Sequence, residues 1–357
     1  MAGLPHRITS GMTGGADEGN DVELEEIGLD AGFVEVAISQ GIVPRSLGRV
    51  VRIDRGWASV QRRTALDRLE LRDCPQIAVG DWIGLDGTGA NVRVERRSAL
   101  VRRSVSERVE AQYMAANVDL VVIVYALDTE ISDSRLTELI VMARDSGAEP
   151  LVVLTKADKS DDLEGVLHRV EEIAAGIEVI VVSSVTAMGL ERFRDFVRNK
   201  TIVLLGASGA GKSTLTNALL LAEAQETGEV RRKGEGRHTT TSRQLLGIPG
   251  GGAVIDTPGI REVSMWSDGD GVALTFPELD ELAMRCRFSD CTHRGIAGCA
   301  IDVAIEAGTI SADRRDAYLL FVEELAAVER DREALQHKID KAQNRRGAKP
   351  RHGRTGR

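Results

Sequence analysis

Thr201-Ile-Val-Leu-Leu205-Gly206-Ala207-Ser208-Gly209-Ala210-Gly211-Lys212-Ser213-Thr214 (TIVLLGASGAGKST) decides the fold. An apolar, β-branched run meets G-x-x-x-x-G-K-[ST], and Leu215, Leu219 and Leu220 then follow at helical spacing. Strand, glycine-rich loop and helix are the setting in which this pattern cradles phosphates. The glycines let successive backbone N–H groups wrap the phosphate, and the helix N-terminus adds positive potential. Lys212 is expected at the β/γ oxygens and the Ser213 hydroxyl on Mg²⁺. Gly206 through Thr214 thus form the phosphate side of a nucleotide site.

Around this stretch the sequence alternates apolar strands with amphipathic helices. The strands are Leu120–Tyr125, Pro150–Leu154, Glu178–Val182, Thr201–Leu205 and Ala253–Asp256; helical patterns lie at Ser134–Ser146 and Asp161–Ala175. Buried β-branched runs separated by helices imply a mainly parallel sheet covered on both faces. Further motifs sit at the strand ends, where such sheets bind ligands. Asp256-Thr-Pro-Gly259 follows one strand. Its Asp256 is expected to hold Mg²⁺ through water, and the Gly259 N–H to sense a γ-phosphate.

Thr155, Lys156, Ala157 and Asp158 follow another strand and match [NT]-K-x-D. The Asp158 carboxylate suits guanine N1–H and its exocyclic amine, a donor pair that adenine lacks, and a buried unpaired carboxylate is costly. Lys156 would lie along the base. Thr155 is shorter than the commoner Asn. Ser183, Ser184 and Val185, after the next strand, offer a backbone N–H to guanine O6. The base-reading motif precedes the phosphate loop, so the sheet is read as circularly permuted. Between the phosphate loop and Asp256 lies Gly234–Thr241, suited to a mobile switch; Thr240 is the favoured Mg²⁺ ligand among its threonines. Ile260 offers no hydrogen bond to an attacking water, which leaves His238 as the candidate catalytic residue.

Cys286-x₄-Cys291-x-His293-x₅-Cys299 supplies three thiolates and one imidazole. That is a closed tetrahedral shell for one structural Zn²⁺. Cys74, alone, reads as a core residue.

The chain has 357 residues, enough for two to three domains. Its longest apolar runs fall short of the roughly 20 residues of a membrane helix. With no signal-peptide layout at the start, a cytoplasmic protein is expected. The net charge of −9 is unevenly spread. Residues 1–30 hold seven acids and one Arg; 45–110 hold 14 Arg, no Lys and nine acids; 338–357 hold eight Lys/Arg and one Asp. Short alternating segments (Gly48–Ile53, Trp57–Gln61, Val79–Leu85, Asn91–Glu95) suggest a small OB-type barrel, a fold that binds oligonucleotides. The arginine bias supports such a partner, while the scarcity of aromatic residues limits base stacking. The expected division is therefore an acidic mobile tail (1–44) with a short helix around 22–40, an OB-type barrel (45–110), a permuted GTPase domain (111–270), a zinc-binding helical domain (271–343) and a basic tail (344–357).

These motifs together resemble the circularly permuted, ribosome-small-subunit-dependent GTPases, the RsgA (YjeQ) family. The resemblance spans about 45–345. It rests also on Leu100-Val-Arg-Arg-Ser104 and Ala116-Asn-Val-Asp119. It implies GTP hydrolysis stimulated by the small (30S) ribosomal subunit, contact with 16S rRNA and a part in late maturation of that subunit. It also implies Mg²⁺ with GTP or GDP, one zinc ion, and His238 in hydrolysis; a monomer is expected. Ser242, Ile296-Ala297 and Thr155 depart from the family pattern. Two other readings are a P-loop ATP-dependent enzyme, which Asp158 opposes, and a non-hydrolysing rRNA-binding scaffold.

Overall fold

Asp30 caps the first helix, α1 (Ala31–Ser39), by accepting a hydrogen bond from the Phe33 N–H. The computed structural model describes residues 23–54, 56–74, 76–85, 91–103, 111–220, 243–256 and 270–347. Five antiparallel strands follow α1: β1 (Leu47–Asp54), β2 (Trp57–Gln61), β3 (Leu66–Glu70), β4 (Trp82–Gly84) and β5 (Val92–Arg93). Their order is β3-β2-β1-β4-β5. Val50, Ala58, Val60, Leu69, Cys74, Ile77 and Ile83 form their own small core, and Cys74 is buried within it. This is the region read as a barrel. A separate hairpin, β6 (Ala99–Arg103) and β7 (Ala111–Ala116), carries the Leu100–Arg103 residues.

The α/β layer then runs β8 (Leu120–Ala126), α2 (Asp133–Asp145), β9 (Glu149–Thr155), α3 (Leu163–Ile173), β10 (Val179–Val181), α4 (Leu190–Val197), β11 (Thr201–Leu205), α5 (Lys212–Leu220), β12 (Arg243–Gly247) and β13 (Ala253–Asp256). Strands β10-β9-β8-β11-β13 are parallel neighbours in that order. Period-two alternation in β8 explains the two covered faces. Val121 and Ile123 join Leu136, Ile140 and Val170 of α2 and α3. Leu120, Val122 and Val124 join Phe193, Val197, Leu215 and Leu219 of α4 and α5. Strand β12 is antiparallel to β13 on one side and to β1 on the other, so a single sheet continues from the nucleotide layer into the β1–β5 region.

The C-terminal part comprises α6 (Asp270–Thr275), α7 (Pro277–Ala283), α8 (Ala300–Glu306) and α9 (Ala312–Gly347). Phe276, Tyr318 and Phe321 pack together there and meet Val141 of α2. Beyond residue 311 the chain forms one helix, α9, of 36 residues.

The expectation of a mobile tail as far as residue 44 fails from residue 23 onward. Leu24, Ile27, Leu29, Phe33, Ala37 and Ile42 are buried in the largest core. Residues 1–22 lie outside the described residues. Part of the arginine bias also has a different role from the one expected. The Arg49 side chain is fully buried, and its guanidinium donates to the carbonyls of Gly80 (3.3 Å), Asn117 (3.1 Å) and Ile27. It lies 5.2 Å from the Trp82 ring centre. Burial pulls its pKa down to about 10, opposed by Asp119 and Asp81, so it stays protonated near neutral pH. Arg96 grips the buried Asp81 carboxylate with two bonds of 2.7 Å. Arg97 pairs with Asp30 and covers the Phe33 ring at 3.7 Å. These three cations join the N-terminal segment, the β1–β5 sheet and the nucleotide layer.

Replacing Arg49 by Met leaves three buried carbonyls without that donor. The expected cost is about 3 kcal/mol, seen as a clearly lowered thermal unfolding midpoint. An unchanged midpoint would contradict the structural role given to this residue.

Candidate functional site

The phosphate loop leaves β11 at Gly206, where φ is +145° and an added Cβ would lie 2.2 Å from the Val124 carbonyl oxygen. Only glycine allows that approach. Helix α5 starts at Lys212, so the backbone N–H groups of its first turn face the loop. The Lys212 ammonium spans the loop and donates to the carbonyls of Gly206 (2.7 Å) and Ala207 (2.6 Å). A cleft of about 210 Å³ beside it is lined by Lys212, Ser213, Thr216, Asn217 and Asp256, among others. The Ser213 hydroxyl and the Asp256 carboxylate thus share one cleft. Hard oxygen donors of this kind fit Mg²⁺.

The base-reading residues come to the same edge because β9 and β11 flank β8 in parallel register, Ala126 opposite Thr155 and Ile123 opposite Leu205. Thr155 is buried and its hydroxyl donates to the Ala210 carbonyl at 2.6 Å. The substituted threonine therefore ties the base-reading strand to the phosphate loop. Lys156 adopts a left-handed backbone (φ +58°), and its ammonium pairs with Asp128 at 2.8 Å. Asp128 follows β8, and sequence reasoning missed it. Its position past a strand end, at the ligand-binding edge, was the available signal. Lys156 holds the Asp128 carboxyl below the usual carboxylate range. The buried Ser183 donates its hydroxyl proton to Asp158 at 2.5 Å, and its oxygen accepts from the N–H groups of Val185 and Thr186. The Val185 side chain is exposed. Strand order therefore brings residues 155–158, 183–185, 206–214 and Asp256 to one edge of the sheet. His238, Thr240, Gly259 and Ile260 lie outside the described residues.

The second site lies between α7 and α8. One ligand atom each from Cys286, Cys291, His293 and Cys299 lies within 4.8 Å of all the others. The Cys286 and Cys299 sulfurs are 4.0 Å apart and stand 3.5 and 3.6 Å from His293 Nδ1. Donors about 2.3 Å from a common centre form a tetrahedron with edges of ~3.8 Å, so the cluster is compatible with a zinc site. Cys299 caps α8, and the N–H groups of Asp302 and Ala300 point at the Cys299 and Cys286 sulfurs. Asp302 accepts from the Gly295 N–H and approaches Arg315 of α9, which fixes the loop carrying His293. Burial pushes the Cys299 thiol up to about 12 and the His293 pKa down. A cation among these donors offsets the cost of the thiolates.

Fold and nucleotide site are those of a circularly permuted P-loop GTPase, a GTP hydrolase. A family model described as RsgA GTPase matches residues 93–266. A second, described as 50S ribosome-binding GTPase, matches residues 201–345 and so begins at the phosphate-loop strand. Two curated relatives are named small ribosomal subunit biogenesis GTPase RsgA. The one from Streptomyces coelicolor is 38% identical over 94% of this chain and 96% of its own. The one from Streptomyces avermitilis is 39% identical over 84% of this chain and 85% of its own. Among solved structures, YjeQ from Thermotoga maritima aligns with a TM-score of 0.59 at 28% identity, over 78% of this chain and 98% of that one. YloQ, a circularly permuted GTPase, shares the fold with a TM-score of 0.57 at 22% identity, over 79% of this chain and 95% of that one. The chain belongs to the RsgA GTPase family.

The Cys/His geometry yields a measurable outcome. The purified chain should carry about one zinc by elemental analysis. Cys286→Ser should lose most of it and loosen the α7–α9 region to proteolysis. Full zinc content in that variant would contradict the ligand assignment.

Proposed function

We propose that this chain is a GTPase that docks on the small (30S) ribosomal subunit and hydrolyses GTP during late maturation of that subunit. The observation that carries the reading is the single strand-end edge that gathers Asp158, the phosphate loop and Asp256 from a permuted order. The curated relatives, named for small-subunit biogenesis, supply the partner. Docking on 16S rRNA is assigned to the β1–β5 region, the zinc-binding part and the basic C-terminal tail. The exposed Trp57, with the Arg68 guanidinium 4.9 Å from its ring centre, is a stacking platform suited to a base. Arg72 is also exposed there and Arg52 about half-exposed, paired with Glu70 and Asp54 respectively. Such a protein works in the cytoplasm as a monomer; no described helix is long and apolar enough to cross a membrane. The division into tail, barrel, GTPase domain, zinc-binding domain and basic tail follows the same reading.

In this reading Asp158, held by Ser183, accepts the guanine N1–H and amine protons. Lys156 lies along the base and Asp128 fixes its ammonium. The loop from Gly206 to Thr214 wraps the phosphates, and Lys212 moves from its carbonyl partners to the β/γ oxygens. Ser213, Asp256 and Thr240 hold the Mg²⁺ that accompanies GTP and neutralises its phosphate charge. The Gly259 N–H senses the γ-phosphate, and His238 orients the attacking water, since Ile260 offers no polar group. One structural zinc sits on Cys286, Cys291, His293 and Cys299.

GTP turnover with and without purified small subunits tests this assignment. Subunits should raise turnover at least tenfold, and log-affinity for them should fall linearly with log salt. His238→Ala should keep GTP binding and lose most of the stimulated turnover. Negligible turnover in the presence of subunits would favour a scaffold instead.

A further inference from the structure

The β1–β5 region and the Mg²⁺-facing edge are separated by one strand. Gln244 of β12 pairs with Arg52 of β1 on one side and with Asp256 of β13 on the other. Two strand spacings, about 10 Å, separate those neighbours. Arg243, the first residue of β12, pairs with Ile53 of β1. Its guanidinium donates to the Tyr113 carbonyl of β7 at 3.1 Å. One residue thus joins three elements: β1, β7 and the strand beside Asp256.

Arg243 is an expensive way to fill that position. It is half-buried, and among the described residues no carboxylate pairs with it. Arg102, which has the same sign, acts on it electrostatically. Burial first, and then Arg102, hold its pKa below the ordinary arginine value. An apolar side chain would pack here at lower cost. What it would not supply is a directional bond from β12 to β7.

We infer that Arg243 is a positioning residue: its side chain ties β12, the strand between β1 and β13, to β7, so that docking of the small subunit on the β1–β5 region sets the position of the Asp256 carboxylate. Strand β12 acts as a spacer: Gln244 is paired with β1 on one side and β13 on the other, so a displacement of β1 there passes to the residue opposite Asp256. Docking then acts on the hydrolytic site through the sheet, without a direct contact between RNA and nucleotide. This inference rests on the small-subunit docking proposed above.

Two readouts test it on the full chain. The first is amide exchange of Gln244–Gly247 and Ala253–Asp256 in the unmodified protein, GTP-analogue-bound, with and without small subunits. Docking should slow exchange in both strands; unchanged exchange would overturn the inference. The second is the Mg²⁺ concentration giving half-maximal turnover, with and without subunits, in wild type, Arg243→Met and Arg243→Lys, with subunit binding followed by co-sedimentation. In the wild type, docking should lower that concentration several-fold. Arg243→Met should still co-sediment but lose the shift, and Arg243→Lys, which keeps a donor for Tyr113, should recover at least half of it. A full shift in Arg243→Met would overturn the inference, and should that variant fail to fold, the exchange experiment decides alone. Absence of any subunit effect on wild-type turnover would instead overturn the docking assignment itself.

Discussion

The close approach of Gly206 to the Val124 carbonyl, under the parallel pairing of β11 with β8, is the constraint on which the nucleotide site depends. It sets the height at which the phosphate loop leaves the sheet. One strand further on, the β8–β9 register sets the height of Thr155, and the 2.6 Å bond from Thr155 to Ala210 joins the two. These contacts depend on neighbours in the sheet, not on the order of strands in the chain. A sequence that places its base-reading motif before its phosphate loop can therefore build the same edge. The permutation changes what is attached to the ends: β12 and β13 lead from β1 on one side to the Cys/His region on the other.

Charge does two kinds of work in this molecule. Arg49, Arg96 and Arg97 are committed to buried or packed partners and hold the junction between the N-terminal segment, the β1–β5 sheet and the nucleotide layer. Arg63 is paired with Glu23 and Glu25 of the acidic N-terminal region. Such exposed pairs contribute at most about 1 kcal/mol and are readily exchanged for phosphate partners. The net charge of −9 therefore conceals regions of opposite sign, and an arginine count overstates the cations available at the surface.

The nucleotide site was legible in the sequence because its motifs are short, local and placed at strand ends. The Cys/His cluster was legible for the same reason. Strands β2, β11 and β13 fall where their apolar runs predict. The pairing of β6 with β7 was missed because neither Ala-Leu-Val-Arg-Arg nor Ala-Gln-Tyr-Met-Ala-Ala alternates apolar and polar residues. Strand β3, Leu-Asp-Arg-Leu-Glu, was hidden by its three charged residues among five. The N-terminal segment read as a tail because its acids outweigh apolar residues that are spaced irregularly, and only tertiary packing shows that Leu24, Ile27 and Phe33 belong to the core. The burial of Arg49 and the pairing of Asp128 with Lys156 were not legible, since both depend on which strands become neighbours; only the place of Asp128 just past a strand end was.

We propose that this permuted order builds a guanine-specific phosphate site, with Asp158 reading the base. Competition for labelled GTP by ATP and by xanthosine triphosphate, in wild type and Asp158→Asn, tests it most directly. The wild type should prefer GTP over ATP by on the order of 10³-fold or more. Asp158→Asn should lose GTP affinity and gain preference for xanthosine triphosphate, whose ring presents an acceptor where guanine presents its amine. Equal competition by ATP in the wild type, or unchanged GTP preference in the variant, would contradict the account.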